Sequence, residues 1–265
     1  MKATFFISLQ KINMTEICAL ASGSNGNCYY IGNKEEAILI DIGIYYKRLI
    51  ERLNETGLDK NKIKAIFISH EHTDHIQGAR ITSKKLGIPV FYTKKTYHKC
   101  YDKNKADNFG FFETGTPYII NTIKIHSFKK NHDAADPCSF RIEINNKNIG
   151  VMTDIGKTDA VLHSEFSKCN AVFLESNYDE DMLMNGLYPY HLKQRVSSNK
   201  GHLSNFQALN LIEQFASPQL KTILLSHISA VNNTHEIVKE TYKHLKNKYH
   251  IILTSRNNAG EIISI

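Results

Sequence analysis

The chain has 265 residues, 42% of them hydrophobic, which is enough to bury one large core, and no Pro- or Gly-rich linker divides it. With 33 Lys and Arg against 26 Asp and Glu, the formal charge is +7, so an acidic partner is a reasonable expectation. No apolar run is long enough to span a bilayer, and five cysteines at scattered spacing (18, 28, 100, 138, 169) give no disulfide framework, which fits a reducing cytoplasm.

In chain order, residues 1–9 make a poor signal peptide, because their apolar part is short and is interrupted by Gln10, Lys11 and Asn13. Met14 is an alternative start, so residues 1–13 read as an extension and residues 14–265 as the domain. The glycine-containing stretch 21–28 (ASGSNGNC) reads as a tight turn in which Ser24 and Asn27 are candidate donors to a phosphate. A strand over 37–40 closes on Asp41, and a helix follows over 46–56. The apolar run 63–69 reads as a strand and leads into His70-Glu71-His72-Thr73-Asp74-His75, then into a helix over 76–86. Further strands at 122–128, 149–153 and 221–226 lead to His132, Asp154 and His227, while Glu175 ends another apolar run. Helices are expected over 205–215, capped by Ser204, and over 236–246.

Three imidazoles and a carboxylate in six residues form a plan for metal binding. Imidazole with carboxylate suits zinc, iron or manganese better than calcium. His70 and His72 point the same way from an extended backbone, and a turn into helix near His75 brings Asp74 and His75 toward a second point. Isolated His132, Asp154 and His227 sit where strands deliver them to one rim of a sheet, the place where open α/β folds keep their chemistry. The segments Leu39-Ile40-Asp41-Ile42-Gly43 and Met152-Thr153-Asp154-Ile155-Gly156 are alike, which is what two similar β-then-α halves would leave in the sequence. Lysines and arginines cluster at 94–105, at 129–130 and at 193–200, the last including Lys200. Two of these clusters flank His132 and His202, where they would attract a polyanion.

The order HxHxDH, His, Asp, His resembles the metallo-β-lactamase superfamily of dinuclear hydrolases from about residue 14 to the C-terminus. The resemblance implies a single α/β domain built as a four-layer αββα sandwich. His70, His72 and His132 would hold one divalent ion, zinc or manganese, and Asp74, His75 and His227 a second, with Asp154 bridging. Asp41 would stand behind the ligands and orient their loop. Glu175 and His202 resemble the pair with which ribonuclease Z handles its leaving oxygen, a sensible general-acid arrangement. The stretches 21–28, 132–137 (HDAADP) and 201–205 (GHLSN), and Leu225-Ser226-His227 with Asn232-Asn233, resemble the YycJ/WalJ (VicX-type) branch. That branch implies a cytoplasmic nuclease with 5′-to-3′ exonuclease action on double-stranded DNA, in which Asp74 and His202 act in the chemistry, Glu175 steers His202, and Ser24, Asn27, Lys200 and Ser204 meet the substrate. Residues 228–231 (ISAV) depart from the acidic stretch expected there. A thiolester or lactone hydrolase of the glyoxalase II or lactonase kind shares the ligand set and is the alternative. A non-catalytic DNA-binding protein with structural metals is a third reading.

Overall fold

Several short apolar runs are buried along their whole length, as strands must be when both faces of their sheet are covered. The computed structural model of the chain describes residues 14–265, so the expected extension at 1–13 lies outside the described residues. The order is β1 (Glu16–Ala21), β2 (Cys28–Gly32), β3 (Ala37–Ile40), α1 (Tyr46–Thr56), β4 (Ile63–Phe67), α2 (Thr73–Ile76), α3 (Ala79–Leu86), β5 (Val90–Tyr92), α4 (Lys94–Lys99) and β6 (Phe109–Phe111). It continues with β7 (Tyr118–Ile120), β8 (Ile123–Lys129), β9 (Cys138–Ile144), β10 (Lys147–Met152), α5 (Ala160–Ser167), β11 (Ala171–Glu175), α6 (Glu180–Asn185) and α7 (Tyr190–Val196). The last elements are α8 (Asn205–Phe215), β12 (Thr222–Ser226), α9 (His235–Thr241), β13 (His250–Leu253) and β14 (Ile263–Ser264).

The strands form two seven-stranded sheets, ordered β14-β1-β2-β3-β4-β5-β6 and β13-β12-β11-β10-β9-β8-β7. In each, an antiparallel set (β1 to β3, β8 to β10) passes into a parallel set (β3 to β6, β10 to β13). The two halves therefore share one topology, with β3 matching β10, and the Asp-Ile-Gly likeness read from the sequence falls just after those two strands. The loops after them are also tied alike: Gly43 N–H donates to Asn27 O at 2.7 Å, and Gly156 N–H to Asn131 O at 2.8 Å.

Three apolar clusters define four layers. One lies between the sheets and joins Tyr29, Ile38 and Phe67 to Phe140, Ile142 and Phe173, with the Tyr29 and Phe173 rings 4.9 Å apart. The second packs α1 and its neighbours on the first sheet through Leu49 and Leu53, and the third packs α5, α8 and α9 on the second through Phe166, Leu211 and Val238. The αββα sandwich is thus present. All five cysteines are free and buried, and among the described residues no helix is long and apolar enough to cross a membrane.

The helix expected over 76–86 is instead split into α2 and α3. Gly78 docks on the loop after β3, donating its N–H to Ile42 O at 2.9 Å, and a Cβ there would lie 2.0 Å from Ile44 O. The helix expected over 236–246 stops at Thr241 and continues only as a 3₁₀ turn, Lys243–Leu245. Helix α5 supplies the α part expected after the second Asp-Ile-Gly, whereas α4, α6 and α7, short and weakly patterned, have no counterpart among the expected helices.

Helix α8 begins where expected. Ser204 accepts a hydrogen bond from Gln207 N–H while the Gln207 side chain returns to the Ser204 N–H, a reciprocal cap. This corrects the expectation that Ser204 meets substrate: it is wholly buried, and its hydroxyl also donates to Glu180 Oε1 at 2.9 Å. Replacing Ser204 by Ala should cost about 1 kcal/mol of stability, read as a lower urea midpoint. An unchanged midpoint would show that the cap is not holding α8.

Candidate active site

Six non-glycine residues among those described have positive φ, and three of them, Asn121, Asn145 and Asn146, are asparagines in hairpin turns. The other three are Asp41 (φ 60°), Asp154 (φ 57°) and His227 (φ 55°), each following β3, β10 or β12. A left-handed residue is uncommon outside glycine, and it turns the chain sharply as each strand ends. All three side chains enter one cluster at the rim where the parallel strands finish.

Ligand-type atoms converge there in overlapping groups. His70, His72 and His132 form one, Asp74, His75 and His227 another, and His70, His75 and Asp154 a third, with the atoms of each group within 4.8 Å of one another. His72 Nδ1 lies 3.1 Å from His70 Nε2 and 3.3 Å from His132 Nε2. Asp154 Oδ2 is 3.3 Å from His75 Nε2, and Asp154 Oδ1 is 3.6 Å from His227 Nε2. Asp74 Oδ2 stands 3.5 Å from His75 Nε2 and 3.8 Å from His227 Nε2.

Residues behind the cluster fix which nitrogen faces it. Asp41 is fully buried and accepts from Ser69 N–H (2.7 Å), Ser69 Oγ (2.8 Å) and His75 Nδ1 (2.7 Å). Because the Ser69 hydroxyl proton goes to Asp41, His70 Nδ1–H donates to Ser69 Oγ at 2.9 Å. His132 Nδ1–H donates to Gly201 O at 3.1 Å, and His227 Nδ1–H to Glu175 Oε1 at 3.0 Å. With Nδ1 so engaged, His70, His75, His132 and His227 turn Nε2 toward the cluster, that of His75 also facing the Asn27 amide nitrogen at 3.1 Å, and His72 presents Nδ1. Lone pairs facing one another at 3.1 to 3.3 Å need a cation or a proton between them. Asp154 Oδ2 and His227 Nε2 are moreover buried with no hydrogen-bond partner. The cluster fits a divalent metal site in both donor type and orientation.

Glu175 joins this centre to a further histidine. Its Oε1 accepts from His202 Nδ1 (2.8 Å) as well as His227 Nδ1, and its Oε2 accepts from the N–H of Ile155 (2.8 Å) and Leu203 (3.1 Å). At 0% exposure the carboxylate touches no substrate and acts through its partners. His202 keeps 19% of its side chain exposed and lines a cavity with His72, Asp74, His132, Asp154 and His227.

The expected substrate-binding residues fare unevenly. Ser24 is exposed and lines the cavity, whereas Asn27 is wholly buried. The Asn27 amide bonds Gly23, Tyr29, Asp74 and His75, so it braces the turn and the metal loop and has no donor left for a phosphate. Lys200 is exposed but not part of the cavity wall. Lys130, expected in a basic rim, is buried and donates from Nζ to Thr153 O at 2.8 Å. Tyr188 and Leu192 line the cavity unforeseen, together with Arg195 of the basic cluster expected at 193–200. Arg195 Nε donates to Asp133 Oδ2 at 2.7 Å, which holds a guanidinium at the mouth.

Burial disfavours a charged imidazole at His227, but Asp154, Asp74 and Glu175 overcome it and push His227 up to about 10. Burial likewise opposes charge at His75, and Asp154, Asp41 and Asp74 hold its titration well above the ordinary histidine value. At His70 and His132 burial prevails, helped by Lys130, and both titrate below the ordinary value. Of these rings, His75 and His227 are therefore the ones that hold a second proton most readily when no metal is bound. A metal needs the neutral ring, so loading should release protons. Titration calorimetry in buffers of different ionisation enthalpy checks this, and metal uptake without proton release would refute the assignment.

The sequence profile of the Metallo-beta-lactamase superfamily matches residues 21–163. The chain is 32% identical over 223 residues to the Bacillus anthracis protein named Exodeoxyribonuclease YycJ, covering 83% of this chain and 84% of that one. It is 31% identical over 227 residues to Exodeoxyribonuclease WalJ of Streptococcus pneumoniae serotype 2 strain D39, covering 84% of each. Among solved structures, the metallo-beta-lactamase fold protein YhfI from Bacillus subtilis superposes with a TM-score of 0.71 at 15% identity, over 95% of this chain and 100% of that one, a likeness of fold alone. Profile, relatives and two-sheet architecture agree, and the chain belongs to the metallo-β-lactamase superfamily, in the family of the YycJ and WalJ exodeoxyribonucleases.

Proposed function

We propose that this protein hydrolyses the phosphodiester bonds of double-stranded DNA from the 5′ end, using two divalent ions, zinc or manganese. His70, His72 and His132 would hold one ion, Asp74, His75 and His227 the other, and Asp154 would lie between them. The observation that carries the reading is the Glu175–His202 pair, 2.8 Å apart, whose imidazole opens into the cavity lined by the metal-type ligands. The names of the YycJ and WalJ relatives support the choice of DNA and of exonuclease action.

When bound, the ions supply an acidified water near neutral pH and positive charge against the phosphoryl oxygens. Burial opposes ionisation of Glu175, but the adjoining His202 and His227 keep its carboxyl below the usual range, so it accepts the His202 Nδ1–H. The transferable proton of His202 then resides at Nε2. As the water oxygen bonds to phosphorus, its proton passes toward Asp74, whose side chain is partly exposed beside His75 and His227. The bond from phosphorus to the sugar oxygen breaks, and His202 Nε2 delivers its proton to that oxygen. Arg195, clamped by Asp133, adds a fixed positive charge at the cavity mouth.

Replacing His202 by Ala should leave metal content normal and lower kcat by about 10²- to 10⁴-fold. Lost metal would instead make His202 a ligand. His72→Ala and Asp154→Asn should each lose metal and phosphodiesterase activity while circular dichroism stays native, and retained activity in either would defeat the two-ion reading. Digestion of end-labelled single- and double-stranded DNA and RNA by metal-loaded protein tests the substrate, with duplex DNA shortened from its 5′ end as the expected outcome. Turnover of a lactone or S-lactoylglutathione, insensitive to salt and without nuclease activity, would replace this reading by a small-molecule hydrolase.

A further inference from the structure

The lysines at 94–105 have no part in the centre described above. Helix α4 starts directly after β5, which runs parallel to β4, the strand that leads to His70, so α4 begins at the rim that carries the site. β6 is the outermost strand of the same sheet, two strands or about 10 Å from β4. Just after β6, Phe112 turns inward to the core between the sheets, while Phe109 and Phe111 of the strand turn to the other face, against α4. Tyr97 of α4 stacks on Phe109 with ring centroids 4.5 Å apart and planes 21° apart, and meets the Phe111 ring edge-on at 5.6 Å. These rings are not sealed in: Phe109 is 40% and Phe111 39% exposed, and nearby Tyr101 is 67% exposed.

Cations surround the rings. Lys105 Nζ lies 5.1 Å from the Tyr97 centroid and Lys103 Nζ 5.9 Å from that of Tyr101. Lys94, Lys95 and Lys99 are exposed on α4. Two of the nearby acids are paired, Asp102 with Lys105 at 2.8 Å and Asp107 with Arg80 at 3.8 Å, while Glu113, two residues beyond Phe111, is exposed and enters no ion pair among the described residues. Exposed aromatic faces bordered by Lys94, Lys95, Lys99 and Lys103, none of which enters an ion pair among the described residues, suit one ligand class above others. A single nucleic-acid strand offers bases to stack and phosphates to pair, whereas a duplex hides its base faces. A second copy of this chain would bring the same positive charge against itself.

We propose that the face formed by α4, the turn after it and β6 is a second nucleic-acid site, which holds a single-stranded part of the substrate by stacking on Phe109 and Phe111 and by pairing lysines with phosphates. This rests on the nuclease reading for its biological sense, but its test reads binding alone. Metal-loaded protein is titrated into a fluorescein-labelled, nuclease-resistant phosphorothioate oligothymidylate of about 16 nucleotides, followed by anisotropy over a range of salt. Phe109→Ala/Phe111→Ala should weaken binding about 5- to 150-fold. Lys94→Ala/Lys95→Ala, at exposed positions where folding is not at stake, should reduce the slope of log affinity against log salt by about 0.7 for each phosphate that is no longer neutralised. Hydrolysis of a dinucleotide, too short to reach the face, should match the wild type in both variants. Unchanged affinity and slope would overturn the proposal, as would sedimentation showing that the phenylalanine variant turns a wild-type dimer into a monomer. If the wild type binds the oligonucleotide through this face yet cleaves no nucleic acid, the nuclease reading fails and the binding face stands.

Discussion

Each half of the molecule depends on one buried carboxylate that binds no substrate. Asp41 gathers Ser69 and His75 in the first half, and Glu175 gathers His202, His227 and two loop N–H groups in the second. A carboxylate this deep is tolerable only when fully supplied with donors. That requirement gives the anchors their value. Satisfying Asp41 fixes the tautomers of His70 and His75, and satisfying Glu175 fixes those of His202 and His227. The geometry of the cluster is therefore set from behind, before anything binds in front.

The twofold likeness of the sheets has been put to unequal use. β3 and β10 end in the same way, with an aspartate in left-handed conformation followed by Ile-Gly, and Gly43 and Gly156 make equivalent backbone bonds. Yet Asp41 is turned inward to hold histidines, while Asp154 lies among the ligand atoms with one oxygen buried and unpartnered. Gly43 carries a tight constraint, since a Cβ there would fall 1.6 Å from Asp74 O. The loop of the first half is thus packed directly against the ligand loop. One recurring motif braces the candidate metal cluster in the first half and faces into it in the second.

Much of the centre was legible because its signals are local. Four liganding side chains in six residues are visible without a fold, and His132, Asp154 and His227 each follow a readable strand. Helix α8 was readable to its first residue because Ser204 and Gln207 form a cap within four positions. What could not be read depends on distance across the fold. The same amide chemistry that made Asn27 a candidate phosphate donor is consumed by Asp74 and His75, 47 and 48 residues away. Lys130 looked like surface charge until the sheets closed over it and Thr153 took its ammonium. The break at Gly78 likewise comes from a carbonyl on the loop after β3, not from the helix itself.

The left-handed backbone at Asp41, Asp154 and His227 bears on how such a centre can change over generations. At these three strand ends a replacement is screened first for its conformation and only afterwards for its chemistry. Asparagine and glycine pass the first screen readily, while β-branched residues do not. Drift at Asp154 would thus run toward Asn or Gly, leaving the loop shape intact after the ligand has gone. A descendant with a silent centre would keep the outline of an active one, and the fold would outlast the reaction.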